Sequence, residues 1–459
     1  MAAHLLPLPT DTPHDPFAAL RVRNYRLFAL GWLPASLGLQ MQATALAWEI
    51  WERTHDPMAL GIAGLARALP TVLLALPAGQ LVDLLDRRRV LVLTQVGFAL
   101  ASALLAVGSV AWARGALGEP ATAVWVIYGL IALTGCARVF NGPSRASLLP
   151  LIVPGGAQSA VFHNAITWNS GVFQLAATLG PVAAGLLIWG TGAAAPVYVA
   201  AALASVWFAC TAMGIQPAPF DPGAAAPTDA PPPAPPSLWQ AISPRTLAPG
   251  MLEGLRHMWR EKVVLGAIAL DLLAVLLGGA TALLPIYATE ILHVGPVGLG
   301  ALRAAPFVGA LVMALVLAHR PPFRRAGPAL LWSVAAFGAC TIGFGVSTSL
   351  WLSLALLAIL GAVDNISVVI RHVLVSVRTP DRLRGRVSAV NSVFIECSNE
   401  LGGFESGLVA KFFGPVASAV SGGVGTIVVV ALTALCIPQL RRLGRLTKSE
   451  VDEERDLPG

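Results

Sequence analysis

Between residues 25 and 437 the chain is a succession of long apolar runs, most of them near the ~20 residues that a helix needs to cross ~30 Å of hydrocarbon. A soluble fold has no interior large enough for that much apolar surface: 56% of the 459 residues are hydrophobic, 12% are charged, and the mean hydropathy is +0.72. The chain therefore reads as an all-α integral membrane protein, since a β-barrel would show short alternating segments instead. Twelve spans are predicted, over 25–50, 58–82, 90–112, 121–142, 160–189, 193–214, 263–290, 297–318, 327–348, 350–373, 385–412 and 415–437. The opening stretch, MAAHLLPLPTDTPHDPF, carries Asp11 and Asp15 and no basic region before an apolar core, so the first span is expected to act as the insertion signal. Cys136, Cys210, Cys340, Cys397 and Cys436 fall within spans, show no metal-ligand spacing, and are read as buried inert thiols.

A formal net charge of +6 would suit nucleic acid or another anionic partner, but the placement of the basic residues marks orientation instead. With alternate connections assigned to alternate sides, one side collects Arg21, Arg23, Arg26, Arg87, Arg88, Arg89, Arg245, Arg256, Arg260, Lys262, Arg320, Arg324, Arg325, Arg378, Arg382, Arg384, Arg386 and the tail from Arg441. The other side holds Arg53, Arg114 and Lys411. By the positive-inside rule both termini are cytoplasmic, which requires an even number of spans.

Between spans six and seven, QPAPFDPGAAAPTDAPPPAPPSLW has no apolar period and reads as an extended flexible linker. After it, Met251, Leu252, Leu255, Met258 and Trp259 share one helical face and Glu253, Arg256, Arg260 and Glu261 the opposite one, the pattern of an interfacial amphipathic helix. The expected organisation is a cytoplasmic tail over 1–20, a six-span half over 21–215, the linker over 216–247, the amphipathic helix over 248–262, a second six-span half over 263–440 and a cytoplasmic tail over 441–459.

The halves resemble each other. GLARALP at 64–70 matches GALRAAP at 300–306, with Arg67 over Arg303 and Pro70 over Pro306. GCARVFNGPSR at 135–145 lies over GAVDNISVVIR at 361–371, so Arg138 falls over Asp364 and Arg145 over Arg371. In spans five and eleven, Asn169-Ser170, Leu179-Gly180 and Gly185-Leu186 match Asn391-Ser392, Leu401-Gly402 and Gly407-Leu408. Such ordered matches are the mark of parallel six-helix repeats about an axis normal to the membrane.

At the end of span two stands GQLVDLLDRRRV, with Gly79, Asp83, Arg87 and Arg88 at the spacing G-x3-D-x3-R-R. This resembles the signature loop of the major facilitator superfamily, except that Leu84 stands where a basic residue is usual. The resemblance implies a twelve-helix transporter fold in which the loop carboxylate caps or pairs with a neighbouring helix and the arginines hold the loop to the membrane surface. Two further stretches, NGPSRASLLPLIVP with the NAITWNSGVFQLAATLGPVAAGLLI that follows, and TPDRLRGRVSAVNSVFIECSNELGGFESGL, resemble the bacterial exporter branch that includes enterobactin exporters and macrolide efflux pumps. That likeness, over most of residues 20–440, implies proton-driven export without naming a cargo.

Ionisable side chains at mid-bilayer depth cost ~2.5 to 3.5 kcal/mol on insertion scales and normally face a cavity or a partner. Arg67 and Arg303 hold equivalent places in the outer halves of spans two and eight, either as cations on a cavity wall, as caps on backbone broken by the prolines three residues on, or as side chains that snorkel to the outer interface. For Arg67 the first reading is preferred, because the family places span two beside span eleven and span eleven carries Glu396, Glu400 and Glu405. Glu396 and Glu400 share a helix face, whereas Glu405 turns away. Glu400 is the first choice for a protonatable site, Glu405 is placed to meet Arg67, and Glu396 is assigned to substrate choice. Arg138 and Asp364 are expected to close a salt bridge across the inner mouth that stabilises the outward-facing state and that protonation of Asp364 would break. The alternatives are a static bridge inside one half, or Arg138 merely as one of the loop cations. Asp271, in LGAIALDLLAV of span seven, is a proton relay or a satisfied carboxyl with no partner visible in sequence. Glu49, Glu52 and Arg53 read as a solvated rim at the outer end of span one. SGGVGT at 421–426 lacks the lysine and preceding strand of a phosphate loop and is assigned to close helix packing.

No nucleotide motif, catalytic triad or metal cluster is present in sequence, so neither an enzyme nor a cofactor is expected. The leading function is a monomeric, proton-coupled exporter of an amphiphilic or anionic small molecule in a bacterial inner membrane, working by alternating access. Pro34, Pro70 and Pro306 would let its walls bend. The rivals are a gradient-independent facilitator or lysophospholipid flippase of the same fold, and a non-transporting sensor or scaffold whose working parts are the linker and the tail KSEVDEERDLPG.

Overall fold

The computed structural model describes residues 15–116, 120–217, 253, 255–256, 258–321 and 323–444. Most of the proline-rich linker and the tail beyond residue 444 therefore lie outside the described residues, as does the side chain of Asp83. The chain is built on twelve long helices: α1 Arg23–Thr54, α2 Pro57–Leu84, α3 Arg87–Ala113, α4 Pro120–Leu148, α5 Ala160–Thr191, α6 Ala195–Met213, α7 Lys262–Leu277, α8 Gly295–Ala318, α9 Ala326–Val346, α10 Leu350–Arg378, α11 Asp381–Phe413 and α12 Pro415–Cys436. Ten spans pass on length and apolar composition as able to cross a membrane. The two helices outside that set, α1 and α11, are long enough but carry the most acidic and basic residues, including all three glutamates of FIECSNELGGFE on α11. Of these, Glu49 with Arg53 of α1 and Glu400 of α11 are paired with other charged side chains, whereas Arg23, Arg26, Glu52 and Lys411 are exposed.

Span seven departs from the regular helix expected over 263–290. Helix α7 stops at Leu277, and the chain continues through Gly278-Gly279, a 3-10 turn at Ala280–Leu283 and a π turn at Tyr287–Ile291. The glycines are required by close approach: a Cβ on Gly279 would meet the Gly402 carbonyl oxygen of α11 at 2.6 Å. Pro285, with no N–H to donate, sustains the irregular path. Broken backbone at this depth is tolerated only where protein surrounds it or a cavity borders it.

Three apolar cores organise the bundle. One joins both halves, from Leu46, Ile50, Trp51 and Tyr198 to Tyr287, Leu299, Leu302 and Phe344. A second lies within the second half alone, around Val264, Leu330, Leu374 and Val387, and a third within the first, around Tyr25, Phe28, Leu148 and Phe208. The joint core is at the far end of the helices, away from residues 15 and 444, and the separate cores are at the near end. The halves thus share one core at the far end and keep separate cores at the near one.

Contacts across the halves follow the same division. Helix α2 packs on α11 and α5 on α8. A Cβ on Gly407 of α11 would meet the Pro57 carbonyl oxygen at 2.7 Å, and one on Gly185 of α5 would run into that of Pro296 at the start of α8. These are the two glycines aligned by the sequence repeat, now in equivalent contacts. Trp51 Nε1 donates to Thr289 Oγ1 at 2.8 Å, and Lys411 Nζ meets Asp56 Oδ2 at 2.8 Å, both also at the far end.

In the signature loop, Asp86 caps α3, accepting from the backbone N–H groups of Arg88 and Arg89 at 2.9 and 3.1 Å, while the part expected of the Asp83 carboxylate lies outside the described residues. Arg87 begins α3, while Gly79 lies in α2 with open space beside it. Arg88 reaches the C-terminal end of α6, donating to the Ile215 carbonyl at 2.8 Å, a cation placed on the negative end of a helix dipole. Asp86→Ala should cost about 0.5–2 kcal/mol by stripping this cap, seen as a lower melting temperature of the purified protein.

SGGVGT behaves as packing: Gly422 lies on the Leu277 carbonyl and Gly423 on that of Gly338. The described residues between 253 and 260 are helical, with Met258 buried in the second half's core and Trp259 exposed. All five cysteines are free, but Cys210 and Cys436 are exposed on the bundle surface rather than buried.

Candidate functional site

Where the halves meet, a cavity of about 200 Å³ lies among α1, α2, α4, α8, α11 and the broken segment of span seven. Leu46, Ile50, Leu60 and Ile131 form an apolar wall, and Thr281 and Ala282 border it because the 3-10 turn swings them inward. Into this wall project Arg67, Arg303, Asn399 and Glu400.

Arg67 Nη1 lies 3.2 Å from Glu400 Oε1, with the two side chains 31% and 14% exposed. Glycine makes the approach possible, since Gly64 sits one turn from Arg67 directly against the Glu400 backbone and carboxylate. Arg303 is in electrostatic reach of both Arg67 and Glu400, and its Nη1 makes a 3.4 Å hydrogen bond to Thr44 Oγ1. The equivalent positions in the sequence repeat therefore deliver two guanidinium groups to one cavity, and α11 brings one carboxylate between them.

One turn nearer the open end, Arg138 Nη2 of α4 meets Glu396 Oε1 of α11 at 3.1 Å, with side chains 55% and 42% exposed. This pair crosses between the halves at the entrance to the cavity. The expected Arg138–Asp364 bridge is not formed, because Asp364 is on the face of α10 turned toward α7 and α9, inside the second half. Likewise Glu405 does not meet Arg67, whose partner is Glu400; the five-residue step turns Glu405 off the cavity face.

Asp364 belongs to a second cluster. Asp271 of α7 forms a buried ion pair with Arg371 of α10, each side chain 9% exposed, and Arg371 Nε also donates to the Ser367 carbonyl at 3.3 Å. Asp364 is in electrostatic reach of both members and has no ion pair of its own among the described residues. Asp271, Asp364, Ser333 and Ser367 border a pocket of about 10 Å³, room for roughly one water. Sequence reading missed Arg371 as the partner of Asp271. The signal was its alignment with Arg145, the one basic residue repeated at that depth in both halves. Arg145 itself stands 3.5 Å over the Trp32 ring, nine residues into α1 just as Asp271 is nine residues into α7. The same architectural position thus holds a cation–π contact in one half and an ion pair in the other.

At the far end the solvated rim expected for Glu49 and Arg53 is instead a buried network. Glu49 pairs with Arg53 and accepts from Tyr198 Oη at 2.6 Å, and Arg53 lies 5.0 Å from the Trp112 ring centroid. Only Glu52 is exposed, as a rim residue would be. The cause is α6, which brings Tyr198 against α1 where sequence offered no polar partner.

Comparison with known proteins gives the same architecture. The chain is 28% identical over 431 residues to a multidrug efflux pump, Tap, of Mycobacterium tuberculosis, covering 92% of this chain and 94% of that protein. It is 31% identical over 155 residues to the enterobactin exporter EntS of Citrobacter koseri, covering 33% of this chain and 36% of that one. Among solved structures, a mutant of the nucleoside transporter NupG superposes with a TM-score of 0.65 at 12% identity, over 90% of this chain and all of that one. A bacterial homologue of the lysosomal transporter Spinster, in an inward-facing unoccupied conformation, gives 0.63 at 12% identity over 97% of this chain and all of that one. The family model of the Major Facilitator Superfamily matches residues 28–398. This multi-pass, twelve-helix chain belongs to the Major Facilitator Superfamily.

Proposed function

We propose that the protein is a secondary active exporter that carries an amphiphilic or anionic small molecule, a drug or a siderophore, out across a bacterial inner membrane in exchange for protons. The observation that carries this reading is the charged cavity between the halves, closed at the far end by glycine contacts and open at the near end. If the arginine-rich side is cytoplasmic, as the positive-inside rule requires, the cavity loads from the cytoplasm. Similarity to an efflux pump over nearly the whole chain supports the outward direction. Residues 21–215 and 263–440 would rock as two units about the cavity, in a monomer with both termini cytoplasmic.

Protons need carboxylates that are alternately shielded and reached by water. Glu400 on the cavity wall is one candidate, and Asp364 with Asp271 and Arg371 is the other. The exposed Arg138–Glu396 pair at the entrance would screen cargo by charge. Glu400→Gln should lower pH-gradient-driven efflux from proteoliposomes on the order of tenfold or more. Undiminished efflux by this variant would remove Glu400 from the mechanism, and flux indifferent to any imposed gradient would favour the facilitator.

A further inference from the structure

The cavity has two guanidinium groups and one carboxylate. Glu400 occupies Arg67, whereas Arg303 has only the Thr44 hydroxyl and, among the described residues, no carboxylate within 4 Å. A partly buried cation turned toward a cavity and lacking an ion-pair partner marks a site for an anion from outside the chain.

We propose that Arg303 and Arg67 together form the binding site for an anionic group of the cargo, a carboxylate or phenolate, which takes the place on Arg67 that Glu400 holds in the empty cavity while Glu400 takes up a proton. This deepens, and rests on, the reading of the cavity as the cargo site. Two planar guanidinium forks suit a planar oxyanion, which each can engage through paired N–H donors. The volume of about 200 Å³ fits an anionic headgroup against Leu46, Ile50 and Ile131, with the rest of the cargo extending past Arg138 and Glu396 toward the open end.

The sign of the proton linkage follows from the charge count. The charged groups facing Glu400 are Arg67 from α2 and Arg303 from α8. The residues that α1, α4 and span seven add to the cavity wall are not titratable, and on α11 itself Glu396 is turned to Arg138 and Glu405 off the cavity. An anion that displaces Glu400 removes its counter-ion and adds a negative charge beside it, so anion binding and protonation of Glu400 reinforce each other. A proton taken up with the cargo is not the one exchanged for it, and exchange then falls to Asp364 and Asp271.

The test uses the purified full chain and three probes of one shape: 1-naphthoate, the neutral 1-naphthamide and the cationic 1-naphthylmethylamine. Binding is followed by calorimetry in two buffers of different ionisation enthalpy, which reports protons taken up. Naphthoate should bind on the order of tenfold more tightly than the amide, more tightly at lower pH, and with net proton uptake. Arg303→Gln should lose that preference and Arg303→Lys, which keeps the charge, should retain part of it, separating the loss of a cation from a loss of fold. Glu400→Gln should bind naphthoate more tightly than the parent and without proton uptake. Preference for the amine, an indifferent R303Q, absence of naphthoate binding or proton release on binding would each overturn the proposal. If export persists in such a case and still depends on Arg67 or Glu400, only the anion assignment fails; if export is untouched by variants at Arg67, Arg303 and Glu400 alike, the cargo-site reading fails with it.

Discussion

Replacing Arg371 with glutamine is expected to lower stability by about 3–5 kcal/mol, the largest single effect among the charged sites. The reason is local. Arg371 is the cation between Asp271 and Asp364, the ion pair is nearly buried, and the adjoining pocket of about 10 Å³ has room for roughly one water. Without the guanidinium, two carboxylates face each other in low dielectric, and at least one must be protonated for the second half to stay packed. Asp271→Asn should cost clearly less, because Asp364 is near enough to take over Arg371. Thermal unfolding of purified variants separates the outcomes: R371Q should melt well below D271N. If R371Q melts within about two degrees of the parent, the cluster is more hydrated than its burial implies and the argument fails.

Leucine at Gly185 should hold the far end open. A side chain there runs into the Pro296 carbonyl, and the symmetry-related Gly407 meets that of Pro57, so both sides of the far-end seal depend on a missing Cβ. Overpacking a tight contact costs about 1–3 kcal/mol, which biases a two-state equilibrium roughly five- to 150-fold. Because that cost falls only on the conformation closed at the far end, it shifts populations rather than unfolding the chain. Cysteines at Asp56 and Lys411, whose parent side chains touch, report closure through the rate of cross-linking by a short bifunctional thiol reagent. G185L should slow that reaction and abolish efflux. G190L, on the same helix with nothing beside it, serves as the control. Equal cross-linking rates in the two variants would show that the glycine contact does not control closure.

How far the site was legible depends on which residues are considered. Arg67, Arg303 and Glu400 were singled out because a charge within an apolar run needs a cavity or a partner, and all three share the central cavity. The pairings drawn from sequence fared differently. Arg138 was assigned to Asp364 through repeat symmetry, yet it meets Glu396, and Arg67 was assigned to Glu405 yet meets Glu400. A helix turns 100° per residue, so the few degrees of rotation and few ångströms of slide that decide a partner are set by packing on other helices. The break in span seven was written as Gly278-Gly279, but apolar flanks concealed it.

The number of long apolar helices could be read from sequence because each apolar segment partitions between water and lipid almost independently of the others. The repeat could be read too, since equivalent positions keep similar residues wherever the two halves meet each other. Which charges are neighbours, which end is sealed and where the cavity lies depend on contacts such as Gly185 on Pro296 and Gly64 on Glu400. Those join residues more than a hundred positions apart and arise only when the helices pack, because association inside a membrane rests on close-range shape rather than on any further hydrophobic gain.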